Sequence, residues 1–187
     1  MDDRLIVTAS PHIRDNATTR GLMGNVLIAL VPSIVASGLI FGMPAILLIA
    51  VTPLACVVSE YLYSRLMHKP NPVGDLSACV TGVILALNMP VSMPLWIAIV
   101  GALVAIVIIK QLFGGLGYNF ANPALVGRIV LFLGFTSRMT AYVYPDMSVD
   151  ALASATPLNA AVDLHSVSFV DMLLGIHGGM MGETCVI

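Results

Sequence analysis

The chain has 187 residues, of which 58% are hydrophobic and only 10% are charged. An ordinary soluble domain uses about 25% charged residues, so this composition excludes a water-soluble globular domain and predicts an all-α integral membrane protein in contact with the lipid bilayer. The formal net charge of −2 and the scarcity of Lys and Arg exclude nucleic acid as a partner.

The N-terminal part of the chain is polar and precedes two long apolar stretches. Residues 1–20 lack the apolar core of a signal peptide, and we predict that they form a cytoplasmic N-terminal tail. An uncharged stretch follows at 21–41, and about 20 residues suffice to cross the hydrocarbon core of a bilayer. A second apolar stretch, 44–63, ends at a basic, proline-containing turn, which predicts the end of a second span.

Three further apolar segments precede the most polar part of the chain. Segment 73–89 is short and rich in small residues, so it is either a full span or a re-entrant piece. Segment 94–109 stops at Lys110, as a span with a basic end does. Segment 124–135 contains Arg128, which costs about 2.5–3.5 kcal/mol at the centre of a membrane helix and is therefore either a helix-end anchor or functional.

The last third of the chain alternates between polar and apolar composition. We predict an external loop at 137–168, followed by a further membrane segment, 169–187, that is cut short. The Lys and Arg residues place the N-terminus inside and this loop outside. The fold expected from these patterns has a transmembrane helical half at 21–136, with about five transmembrane helices and a partial sixth.

Three acidic residues lie closest to the predicted lipid zone, where ionisable groups are candidates for function. We interpret Asp75 as the N-terminal cap of the third helix, where the helix dipole favours a carboxylate. We interpret Glu60 as the interfacial partner of Arg65, and Glu183 remains a candidate. The histidines and cysteines show no ligand spacing, so no metal site is predicted.

Several short strings occur in the order typical of one protein family. They are Ser10-Pro11-His12-Ile13, Asp75-Leu76-Ser77-Ala78, Thr81-Gly82, the glycine- and asparagine-rich loop 114–123, Ala155-Thr156-Pro157-Leu158 and Gly182-Glu183-Thr184. On these strings the chain resembles the RnfD/NqrB family, which supplies membrane flavoprotein subunits to Rnf-type and sodium-pumping NADH:quinone-type redox complexes. The short N-terminal tail favours the RnfD branch.

The resemblance implies an electron-transfer flavoprotein subunit of an ion-translocating oxidoreductase complex in the bacterial inner membrane, with other subunits as partners. It also implies FMN esterified to a threonine in a motif resembling Asp-x-x-(Ser/Thr)-Gly-Ala-Thr. The corresponding window matches at Asp150, Ala155 and Thr156 and departs at Ala153 and Ser154. We therefore expect covalent FMN on Thr156 in the external loop. The alternative is a plain hydroxyl-containing turn.

The resemblance further suggests that Asn119 and Asn122 bind a second flavin, such as riboflavin, or line an ion path. Alternatively, both amides satisfy backbone groups that are freed where the helix is broken at Pro123. The resemblance also implies an inverted repeat of which this chain is the first half, so we expect it to be truncated. Two other functions stay open: a transporter or channel of a repeat fold without a redox role, and a membrane anchor.

Overall fold

The computed structural model describes residues 17–69, 72–143, 175 and 178–184. The regular elements within these residues are helices, in agreement with the predicted all-α class. In chain order they are α1 (Thr19–Phe41), α2 (Met43–Leu66), a short 3-10 helix (Val73–Asp75), α3 (Ser77–Leu87), α4 (Leu95–Leu103), which continues as a π-helix (Val104–Gln111), α5 (Pro123–Gly134) and α6 (Thr136–Met139).

The first two helices are long enough and apolar enough to cross a membrane, with 23 and 24 residues, and they match the first two predicted spans. Helix α1 begins two residues before the predicted position because Thr18 caps it, its hydroxyl accepting the Gly21 N–H at 3.2 Å. Gly42 alone separates the two helices. Its φ of 69° is a conformation that a residue with a Cβ adopts only with strain, so a glycine is needed here.

Helix α3 is shorter than its predicted segment, 73–89, whereas α5 matches the predicted segment 124–135 to within one residue at each end. Helix α3 has 11 residues and α5 has 12, which gives each a length of about 17–18 Å against about 30 Å for the hydrocarbon core. Helix α4 and its π-helical continuation together cover Leu95–Gln111. The length of α3 favours the re-entrant interpretation of segment 73–89. The five crossings stay a prediction.

Small residues bring the helices close together. A Cβ added to Gly82 in α3 would lie 2.4 Å from the Cα of Pro53 in α2, so the two backbones are in direct contact. A Cβ added to Gly127 in α5 would lie 3.2 Å from the Gly101 carbonyl oxygen in α4. Such small-residue contacts are typical of helices that associate in lipid, where close backbone packing replaces the hydrophobic effect.

Large apolar side chains cover the outer surface of α1. Leu22, Ile28 and Leu39 are 54%, 69% and 81% exposed, and the helix buries only Ser37 fully. A soluble monomer rarely leaves so continuous an apolar surface uncovered. This helix therefore needs lipid or another protein around it.

The described C-terminal residues, 178–184, form turns that contact α1 and the C-terminal end of α3. The Gly182 N–H donates to the Leu87 carbonyl at 2.8 Å, and the Ser37 hydroxyl donates to the Met181 carbonyl at 2.8 Å. The helix expected over 169–187 therefore does not run through these residues. Most of that segment lies outside the described residues, as do residues 144–168 of the predicted external loop, with Thr156, and residues 1–16 of the predicted tail.

Candidate functional site

A cleft of about 160 Å³ lies between α1, α3, the end of the π-helix and the loop that leads into α5. Its polar lining residues come from three separate parts of the chain, and its apolar lining includes Val80, Ile84, Leu116 and Pro123. The polar lining residues are Ser77, Thr81, Lys110, Asn119 and Asn122. The fold thus brings both predicted asparagines together with a lysine and a serine that we had not predicted as site residues.

The π-helix determines which side chains reach this cleft. Its i→i+5 hydrogen bonds continue past the last turn, where the N–H of Leu112 donates to the carbonyl of Val107 at 3.1 Å and the N–H of Gly115 donates to Lys110 at 2.9 Å. The extra residue in each turn accompanies the burial of two consecutive polar side chains, Lys110 and Gln111. Segments of π-helix are frequent at functional sites.

Lys110 forms an ion pair inside the helix bundle. Its Nζ lies 2.6 Å from Oε1 of Glu60, and the side chains are only 1% and 0% exposed. Removing two charges from water costs more than their attraction returns unless further hydrogen bonds support them. Both charges have such support: Lys110 Nζ donates to Ser77 Oγ at 2.5 Å, and Gln111 Nε2 donates to Glu60 Oε1 at 2.7 Å.

Ser77 connects this pair to a second carboxylate. Its hydroxyl donates to Oδ1 of Asp75 at 2.5 Å, and its backbone N–H donates to the same oxygen at 2.7 Å. The second bond places the Asp75 carboxylate beside the first residue of α3, where the helix dipole favours it, but the N-cap position itself is held by Leu76 and not by the predicted Asp75. Asp75 is partly exposed, whereas Ser77 is buried, so the hydrogen-bonded chain runs from the surface into the bundle.

The predicted pairing of Glu60 with Arg65 is wrong. Residues five apart on an α-helix point to different sides, because neighbours on one face are three or four apart. Arg65 points outward and contacts the Tyr61 hydroxyl at 3.5 Å, while Glu60 faces Lys110. Lys110 is correspondingly a buried residue rather than a basic anchor at the membrane surface. The sequence signal that could have indicated this pair was that Glu60 and Lys110 are isolated charged residues in or directly after two different apolar segments.

Both predicted asparagines bind backbone groups at the break before α5. Oδ1 of Asn122 accepts the Ala124 N–H at 3.0 Å and caps the helix. With its amide oriented so that both ends find partners, Asn119 donates through Nδ2 to the carbonyls of Ile109 at 3.2 Å and Gly115 at 3.1 Å. The backbone role therefore exists, and it leaves room for a second role because Asn122 Nδ2 has no acceptor among the described residues.

The glycines of loop 114–123 serve the conformation of the loop. Gly114, Gly115 and Gly117 have φ values of 113°, 95° and 90°, which residues with a Cβ rarely adopt. The chain can therefore reverse within a few residues and return Asn119 to the end of the π-helix. This requirement explains the glycine content without reference to a ligand.

A second polar cluster lies at the opposite end of α3. Arg128, in the middle of α5, donates through Nη1 to Oδ1 of Asn88 at 2.8 Å, and its Nη2 lies 3.5 Å from Oε1 of Glu183. Arg128 is thus not a helix-end anchor; it connects three parts of the chain. Nearby, burial raises the pKa of Tyr142, the Glu183 carboxylate raises it further, and Arg128 lowers it.

The lining of the cleft combines a side-chain amide with apolar surface, which are the groups that would hold one edge of a flavin ring. Asn122 Nδ2 can donate to a ring carbonyl or ring nitrogen, while Val80, Ile84 and Pro123 supply apolar contacts for the ring face. The cleft volume of about 160 Å³ is below the roughly 300–1,000 Å³ of complete ligand pockets. The cleft as the described residues form it does not by itself enclose a whole ring.

Known proteins resemble this chain over most of its length. A subunit of the Na(+)-translocating ferredoxin:NAD(+) oxidoreductase complex of Acetobacterium woodii is 42% identical over 96% of this chain and 58% of the relative. A subunit of the proton-translocating ferredoxin:NAD(+) oxidoreductase complex of Clostridium ljungdahlii is 34% identical over 97% of this chain and 58% of the relative.

A third relative belongs to an ion-translocating oxidoreductase complex of Shewanella denitrificans and is 36% identical over 79% of this chain and 44% of its own length. The chain thus spans less than two thirds of these relatives. The model of the NQR2, RnfD, RnfE family matches residues 6–187. With nearly every residue inside that match, and with the Asp75 and 114–123 strings folded into one site, the chain belongs to the NQR2, RnfD, RnfE family.

Proposed function

We propose that this chain is part of a membrane-embedded, electron-transferring flavoprotein subunit of an ion-translocating oxidoreductase complex. The observation that carries the proposal is the cleft at Asn119 and Asn122, which lies against the buried Glu60–Lys110 ion pair. The membership of this chain in the family supports it. The names of the relatives support the complex and its ferredoxin:NAD(+) chemistry. They differ in the ion, since one is named for Na⁺ and another for protons, so the coupling ion is left open.

The proposal places two flavins on the protein. FMN is esterified to Thr156 in the external loop, and a non-covalent flavin such as riboflavin lies in the cleft, where Asn122 binds its ring edge. Bound flavins supply the electron transfer. The protein orients the ring through Asn122, packs apolar side chains against its face, and places the Lys110 charge beside it.

The covalent flavin is tested by in-gel fluorescence after denaturing electrophoresis. We expect a fluorescent band for the wild type, no band for Thr156→Ala, and an unchanged band for the control Thr140→Ala, whose hydroxyl donates only to the Thr136 carbonyl. Fluorescence retained in Thr156→Ala would contradict the assignment to this residue, with Ser154 as the next acceptor to test.

The cleft flavin is tested by acid extraction of the purified complex. Flavin released without covalent linkage should fall in Asn122→Asp, which keeps the capping oxygen and loses the amide donor. It should stay constant in Thr140→Ala. Equal release from the Asn122→Asp variant and the wild type would contradict flavin binding at this residue.

The proposal also fixes an orientation, with the N-terminus inside and loop 137–168 outside. In a background without Cys56, Cys79 and Cys185, a cysteine replacing Asp146 should react with an impermeant thiol reagent in intact cells, whereas one replacing Asn71 should not. The reverse labelling pattern would overturn the orientation.

A transporter without a redox role is the second candidate. The short helices α3 and α5 and the buried Glu60–Lys110 pair favour it, because transporters use broken helices with charged residues at membrane depth. Absence of both covalent and extractable flavin from the wild-type protein would favour this alternative.

A further inference from the structure

The structure contains a hydrogen-bonded chain that connects the partly exposed Asp75 to the wall of the cleft. Donors run in one direction along it, from Lys110 Nζ to Ser77 Oγ at 2.5 Å and from Ser77 Oγ to Asp75 Oδ1 at 2.5 Å. Lys110 and Ser77 both line the cleft, while Asp75 stands outside it. We propose that Asp75, Ser77 and Lys110 form a proton-delivery route from the membrane edge to the ligand of this cleft.

The charges of the cluster explain why such a route is needed. Asp75, Glu60 and Lys110 carry two formal negative charges and one positive charge, and Glu60 and Lys110 are fully buried. An electron that arrives in the cleft adds a further negative charge in a medium of low dielectric constant, where an uncompensated charge is costly. A proton that enters the cleft with the electron removes this cost.

The proton transfer balances in three linked steps. Lys110 gives one N–H proton to the cleft ligand, and its nitrogen becomes a neutral amine with a free lone pair. The Ser77 hydroxyl turns and passes its proton to that nitrogen, and Ser77 Oγ then takes a proton that Asp75 has bound from water. The lysine is again an ammonium, the serine is again a hydroxyl, and one proton has moved from water to the ligand.

Glu60 makes the refilling of Lys110 favourable. Its Oε1 accepts from both Lys110 and Gln111, and its Oε2 has no hydrogen-bond partner among the described residues. When Lys110 is neutral, Glu60 is a buried carboxylate without its cation, which is strongly unfavourable. The uncompensated charge of Glu60 therefore favours transfer of the next proton from Ser77 to Lys110. Glu60 is thus a positioning residue, since it acts through Lys110.

The loop that carries Asn119 is hydrogen-bonded to the turn of the π-helix that contains Lys110. Asn119 Nδ2 donates to the carbonyls of Ile109 and Gly115, and the Gly115 N–H donates to the Lys110 carbonyl at 2.9 Å. The backbone on both sides of Lys110 is therefore fixed to the loop that lines the cleft. The lysine stays at a constant position relative to a ligand held there.

The test uses the assembled membrane complex and follows cleft flavin, so it rests on the proposed function. Cleft flavin is defined as the extractable flavin that Asn122→Asp loses, and its reduction by dithionite is followed by absorbance in H₂O and D₂O. Ser77→Ala removes the relay hydroxyl, and Ser77→Thr restores one. Ser59→Ala is the matched control, because Ser59 is also buried but donates to the Ala55 carbonyl.

We expect Ser77→Ala to slow reduction of the cleft flavin by about tenfold or more and to raise its solvent isotope effect, with unchanged flavin content. Ser77→Thr should recover most of the rate, and Ser59→Ala should match the wild type. Asp75→Asn should behave like Ser77→Ala. Unchanged rates and isotope effects in Ser77→Ala and Asp75→Asn, with flavin present, would overturn the relay and leave the cleft assignment standing. Absence of extractable flavin from the wild type would overturn both.

Discussion

The Lys110→Met substitution removes the cation that faces a fully buried carboxylate. Glu60 is 0% exposed and would keep only the Gln111 amide at 2.7 Å as a hydrogen-bond donor among the described residues. Loss of one member of a buried ion pair costs about 3–5 kcal/mol because the remaining charge is uncompensated. We therefore expect the free energy of unfolding to fall by about that amount.

The paired substitution separates the cost of the orphaned charge from the value of the pair. In Glu60→Gln with Lys110→Met, no charge remains, and the new glutamine can still accept from Gln111. Replacement of both members of a buried pair by residues of similar volume is often neutral or stabilising, so we expect a change below about 1 kcal/mol. The difference between the single and double variants is the coupling energy.

Denaturant titration of the chain in mild detergent, followed by fluorescence of Trp96, measures these differences. Trp96 reports on the packed state because its ring meets the Phe135 ring edge to face, with centroids 5.4 Å apart. Arg65→Met is the control, since Arg65 is an exposed cation on the same helix as Glu60 and should change stability by no more than about 0.5 kcal/mol. Equal losses for Lys110→Met and Arg65→Met would refute the buried ion pair.

Two further substitutions test the packing and the helix cap with the same assay. Gly82→Ala should lower the free energy of unfolding by about 1–3 kcal/mol, because the added Cβ would lie 2.4 Å from the Cα of Pro53. The control Gly24→Ala places its Cβ in open space and should not destabilise the protein. Similar effects at both positions would contradict the contact between Gly82 and Pro53. Asn122→Ala should lower the free energy of unfolding by about 1 kcal/mol, because the side-chain cap of α5 is lost. Asn122→Asp keeps the capping oxygen and should retain most of the stability. Equal losses in both variants would show that the capping oxygen is not what stabilises α5.

The sequence was most informative where a local signal determines the structure. Long apolar stretches predicted α1 and α2 to within a few residues, because each needs only its own length and composition. A carboxylate of Asp75 near the start of α3 was also predicted, although the structure has Leu76 and not Asp75 at the N-cap position. Segment 124–135 likewise predicted α5 to within one residue at each end. The same reasoning could not set the length of α3, where apolar composition continues into residues that leave the helix.

The ion pair was not predictable in this way because it joins two distant parts of the chain. Glu60 and Lys110 are 50 positions apart, and the local neighbour of Glu60 was the more obvious partner. The inward position of Lys110 coincides with the π-helix, for which the sequence gives no periodic signal. What the sequence did offer was that both residues interrupt apolar segments, and such residues need a partner inside the bundle.

The two polar clusters lie at opposite ends of α3, so the length of α3 limits the thickness of the apolar layer between them. The first contains Ser77 and Lys110, and the second contains Asn88 and Arg128. Ile84 lines the cleft beside each cluster, the second cleft having a volume of about 180 Å³. The apolar layer between the clusters is therefore at most the length of α3, about 17 Å, rather than the full 30 Å of a bilayer core. Because the cost of moving charge falls as the apolar layer thins, the short α3 lowers the cost of bringing a charge from one cluster to the other.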